Sequence, residues 1–158
     1  MTRNVLGCPD RPGNTGVIQA GYFCCGIAAL AAGIALYASF RAGDMLLYRL
    51  FPRPRFLDAL YHPVHAAKSS LAAVLVYNVP DGLWFLSGLL LIRGLWLRDT
   101  RWHKRYYLVF VTIGMAIELS QISERVPGTF DAADLLAMAI SAFVEGVIYV
   151  FMRRSMVC

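Results

Sequence analysis

Uncharged apolar runs separated by short charged stretches dominate the pattern of this chain. No charged residue occurs from Pro12 to Phe40, and Gly82–Ile92, Tyr106–Ile117 and Leu135–Val144 are likewise uncharged. Extended past single flanking charges, these runs predict helices over 17–40, 80–98, 105–123 and 130–152. Each is near the ~20 residues that a bilayer crossing needs. Residues 1–16 then form a tail, and 41–78 the one long connection. That connection holds Asp44–Phe51, an apolar and basic mixture suited to an interfacial helix, before Pro52-Arg53-Pro54 breaks it. Leu71–Tyr77 is apolar but too short to cross, so it reads as a re-entrant or interfacial piece, or as an extension of the second span. The expected fold class is all-α: one polytopic membrane helical bundle of about four transmembrane helices, with an interfacial or re-entrant segment between the first two. Gly21, Cys25, Ala29 and Gly33 recur at every fourth position, a small-residue ridge that suits close helix packing.

Composition agrees with the pattern. Hydrophobic residues make up 58% of the chain and charged ones 16%, whereas soluble domains lie near one half and one quarter. The net charge of +5 does not point to nucleic acid, because the basic residues sit at the ends of apolar spans and form no run of five. They read as topogenic charges and contacts to anionic membrane lipids. Four basic residues lie within Arg98–Arg105, against one between Gln121 and Asp134. The bias on short loops therefore places both termini in the cytoplasm and the Gln121–Asp134 turn outside. The four cysteines have no zinc-finger spacing and read as unpaired thiols, and no cofactor motif is present.

Candidate chemistry gathers at the outward turn. Glu118 and Gln121 share one helical face by their i,i+3 spacing, and so do Asp131 and Asp134 beyond Pro127-Gly128. Asp81 opens the second span at the same boundary, so Asp81, Glu118, Gln121, Asp131 and Asp134 converge there from three helices. Acidic groups at the edge of an apolar helix are costly to bury and are candidates for function. Helix capping is the competing account: Asn78 and Pro80 can place Asp81 in a first turn, and Thr129 can cap the helix that carries Asp131. Capping does not account for Glu118, which stands near a helix C-terminus where the dipole disfavours an anion. Deeper in the bundle, Arg93 lies twelve residues below Asp81 and Glu145 fourteen below Asp131. That is roughly 18 and 21 Å at 1.5 Å per residue, similar depths that suit an intramembrane ion pair. His62 and His65 stand i,i+3 in the long connection and are weak candidates for a zinc site, since spacing marks no third ligand; interfacial histidines are the competing reading. No G-x-S-x-G, H-E-x-x-H or phosphate-binding glycine loop occurs, so no nucleophile is evident.

Glu118-Leu-Ser-Gln121 with Gly128-Thr-Phe-Asp131-Ala-Ala-Asp134 resembles the VanZ-like family of small bacterial integral membrane proteins. Val79-Pro80-Asp81-Gly82-Leu83-Trp84 is also similar to small members of that kind, so the resemblance runs from Asn78 to about Val150. The chain departs from the family pattern in having no Asn after Asp134 on its last helix. The resemblance implies a multi-pass protein of the bacterial inner membrane, linked to the cell envelope and to glycopeptide-antibiotic tolerance, with Glu118, Gln121, Asp131 and Asp134 as signature residues. Three functions are open at this point. One is a binding or accessory protein whose acidic pocket takes a cationic or polyhydroxylated envelope molecule, such as a lipid-linked precursor headgroup. Another is a structural subunit among other membrane proteins. A membrane enzyme acting on a lipid-linked substrate ranks below both, for want of a nucleophile.

Overall fold

A computed structural model describes residues 12–40, 76–122 and 130–157. Four helices make up these residues: α1 (Pro12–Phe40), α2 (Val79–Leu95), α3 (Thr100–Gln121) and α4 (Ala132–Val157). Residues 41–75 of the long connection, with the expected interfacial segment, His62 and His65, lie outside the described residues.

Local chemistry accounts for the helix limits. Pro80 sits in the first turn of α2, where its missing N–H costs nothing, and Asp81 adds a carboxylate favoured by the dipole there. α2 ends at Leu95, earlier than the sequence pattern indicated, and the chain turns through Trp96–Asp99. Asp99 then caps α3: its side chain accepts from the backbone N–H groups of Arg101 and Trp102 at 3.0 and 3.2 Å. α3 therefore starts at Thr100 rather than 105, because Arg101, Lys104 and Arg105 are good helix formers and do not interrupt it. α4 likewise runs to Val157, past the expected limit at 152.

α2 is the central helix and packs against α1, α4 and α3, in that order of extent. Its glycines Gly82, Gly88 and Gly94 are six residues apart, which is about 240° of helical rotation. Each consequently faces a different neighbour. A methyl group on Gly82 would stand 3.3 Å from Ala137 of α4, and one on Gly94 would stand 3.2 Å from the Cβ of Tyr22 of α1. One on Gly88 would run into the ring of Phe110 of α3, which stacks on Phe85 at 5.1 Å. Small residues here let three helices approach one axis.

The small-residue ridge of α1 is differently placed from the one read in the sequence. Steps of four residues advance 400°, so Gly21 and Gly33 lie about 120° apart. Gly21 faces Met152 of α4, Gly33 faces Trp84 of α2, and Cys25 between them is exposed and free. The face that α1 buries is Tyr22, Gly26 and Gly33, which keeps the 3.6-residue period.

Two helices, over Thr15–Tyr37 and Ala132–Met152, are long and apolar enough to cross a membrane. The distribution of polarity fits such a setting. Val17 is 73% exposed and Phe143 72%, while Glu145 is 2% exposed and Asn78, Ser87, His103 and Ser141 are buried. A bundle with apolar side chains outward and polar ones inward suits lipid rather than water as its solvent.

Candidate functional site

Two polar clusters occupy opposite ends of α2. The first centres on Asn78, the residue before α2. The sequence admitted a capping role for it, but its side chain makes no cap hydrogen bond to α2. Instead Nδ2 donates to Asp134 Oδ1 at 2.7 Å and to Asp131 Oδ2 at 3.3 Å. The geometry of α4 explains why both carboxylates are available. Asp131 itself, rather than Thr129, stands at the N-cap, and its Oδ1 accepts from the N–H of Ala133 at 2.9 Å. Its other oxygen turns to Asn78, and Asp134 follows one turn later on the same face.

Glu118 reaches this cluster from α3. Asp134, Asp81 and Asp131 all act on it electrostatically, Asp134 most strongly of the three, and its Oε2 is buried without a hydrogen-bond partner among the described residues. Gln121 ends α3 one helical turn beyond it. Of the five residues singled out at this boundary, Asp131 and Asp134 are joined directly through Asn78, and Glu118 and Asp81 lie within electrostatic reach. Gln121 completes the set in sequence, at the C-terminal end of α3. Beneath the cluster the Ser141 hydroxyl lies 2.7 Å from the Gly82 carbonyl oxygen and 2.8 Å from that of Ala137, linking α4 to α2. Among the described residues no three His, Cys, Asp or Glu side chains are placed to hold a metal ion.

The second cluster surrounds Arg93 at the far end of α2. Arg93 Nε donates to Glu145 Oε1 at 2.6 Å and Nη2 to Oε2 at 3.2 Å, a two-pronged ion pair. Nη1 lies 3.4 Å from His103 Nδ1. Guanidinium only donates, so Nδ1 accepts and a neutral His103 carries its proton on Nε2. Among the described residues that Nε2 is buried without a partner, and so is the hydroxyl of Tyr22. The ring of Tyr149 lies 4.3 Å from the guanidinium carbon, and Tyr107 packs on His103 at 5.6 Å. Every helix contributes: Tyr22 from α1, Arg93 from α2, His103 and Tyr107 from α3, Glu145 and Tyr149 from α4. A cation here is neutralised by one carboxylate and flanked by aromatic faces, which lowers the cost of charge in an apolar interior.

Sequence reasoning missed Asn78 as a ligand of the carboxylates, and missed His103, Tyr22, Tyr107 and Tyr149. One signal was available: Tyr149 follows Glu145, and Tyr107 follows His103, at the i,i+4 spacing that stacks side chains on one face. Compared with models of protein families, with curated proteins and with solved structures, the chain matches none.

Proposed function

We propose that this chain is a VanZ-like, four-span protein of the bacterial inner membrane. In this reading both termini are cytoplasmic, and the acidic cluster opens outward to bind a cationic or polyhydroxylated headgroup of the cell envelope. The observation that carries this reading is Glu118 Oε2, a buried acceptor without a donor among the described residues, beside two carboxylates that share one amide. A buried acceptor lacking its hydrogen bond is costly, and an ammonium or hydroxyl of a ligand supplies what is missing.

The test is Glu118→Ala in cells, read as membrane accumulation together with glycopeptide susceptibility. We expect normal accumulation with lost tolerance. Loss of one hydrogen bond to a charged group weakens binding roughly ten- to a hundred-fold. Lost accumulation instead assigns Glu118 to the scaffold. A second reading, a subunit of a larger membrane complex, draws on the open apolar groove along α4 lined by Phe143, Gly146, Val147, Val150 and Phe151. Co-purification in mild detergent, followed by mass spectrometry of proteins and lipids, separates the two readings.

A further inference from the structure

The turn between α2 and α3, remote from the acidic cluster, carries a surface that neither polar cluster uses. Three aromatic rings gather there: Trp96 stacks on Tyr106 at 5.1 Å, Trp102 lies 5.9 Å from Tyr106, and Trp96 lies 6.0 Å from Trp102. Around them Arg98, Arg101, Lys104 and Arg105 are all exposed, and the Arg105 guanidinium sits 5.0 Å over the Trp102 ring. The one acid of this stretch, Asp99, has its Oδ1 engaged by the first backbone N–H groups of α3. The turn itself is held by backbone bonds from Asp99 to Trp96 at 3.2 Å and from His103 to Asp99 at 2.9 Å. The basic side chains are therefore displayed on a fixed frame, four cations against the single carboxylate of Asp99, which is turned to the backbone of α3.

We infer that this turn is a binding site for an anionic phospholipid, with Arg98, Arg101, Lys104 and Arg105 taking the phosphate-bearing headgroup. Two features select a lipid over other anions. Trp102, Tyr106, Val109 and Ile113 follow one another at steps of four, three and four residues, so they share one face of α3. All four are exposed, at 43%, 43%, 53% and 54%. The stripe runs from the basic end for about 16 Å, roughly one leaflet of a hydrocarbon core about 30 Å thick. An amphiphile meets charge at one end and apolar surface along the rest, whereas a nucleic acid or acidic protein leaves the stripe unused. Amphipathic rings beside exposed basic residues also match the headgroup level of a membrane.

This inference rests on the membrane placement proposed above, so its experiment reports the two separately. The full chain is reconstituted in nanodiscs of equal phosphatidylglycerol and phosphatidylcholine, and lipids retained on the protein are identified by native mass spectrometry. Retained phosphatidylglycerol should exceed phosphatidylcholine, and the excess should fall roughly five-fold for each basic side chain neutralised in R98Q/R101Q/K104Q/R105Q. The double variant R101Q/R105Q gives the same reading where the quadruple does not accumulate. Insertion with equal retention of the two lipids, or with retention unchanged in the variants, overturns the site while leaving the membrane placement intact. A chain extractable by carbonate overturns both. Displacement of the lipid by a short DNA duplex at equal charge concentration reassigns the surface to nucleic acid.

Discussion

Replacing Arg93 by methionine, or Glu145 by leucine, should each lower stability by about 3–5 kcal/mol. Glu145 is 2% exposed and Arg93 16%, so either single change strands a charge in a low-dielectric interior. The double variant R93M/E145L should regain most of the loss, because removing both charges also removes the cost of desolvating the pair. Recovery should remain incomplete. His103 Nδ1 loses the donor it had in Arg93, and Tyr149 loses the cation over its ring. Thermal unfolding of the two singles and the double in one detergent decides. A double variant no more stable than the worse single would mean that the two residues do not act as a pair.

The second large effect is expected at Asn78. Its amide is the donor that Asp131 and Asp134 share, and it is buried. Asn78→Asp replaces that donor with a third carboxylate and turns two attractions into repulsions. Hydrogen bonds to charged groups are each worth about 1.5–3 kcal/mol, so a destabilisation of at least that size follows. Adding Asp134→Asn to the same chain returns an amide opposite a carboxylate, with donor and acceptor exchanged. Thermal unfolding of N78D/D134N should then lie well above that of N78D. Equal midpoints would show that Asn78 does not act through its amide on the Asp134 side.

The parts of this fold that were legible in the sequence are those fixed by long-range composition. An uncharged run such as Pro12–Phe40 has few alternatives to a continuous helix, and Asp131 with Asp134 announces a shared face by spacing alone. Positions that depend on rotation about a helix axis were harder to read. The ridge drawn through Gly21 and Cys25 drifts off its face because four residues exceed one turn, and Tyr22 with Gly26 proves to be the buried face. Asn78, two residues before Pro80, satisfies a capping pattern as readily as a tertiary one, and only the position of α4 decides between them. Tyr22, His103 and Tyr149 are ordinary residues at the margins of apolar helices until Arg93 and Glu145 meet. Then their polar ends fall around one ion pair.

In the proposed topology the acidic cluster opens on the outer face of a membrane-spanning bundle, with the basic aromatic turn inside. Cysteine accessibility in intact cells addresses it directly. On a cysteine-free background, single cysteines are placed at position 128, in the segment joining α3 to α4, and at position 101, on the basic turn. A membrane-impermeant maleimide should modify position 128 in intact cells and reach position 101 only after the membrane is permeabilised. Labelling of position 101 with protection of position 128 would invert the bundle and contradict the outward pocket. Immediate labelling of both would contradict the membrane placement itself.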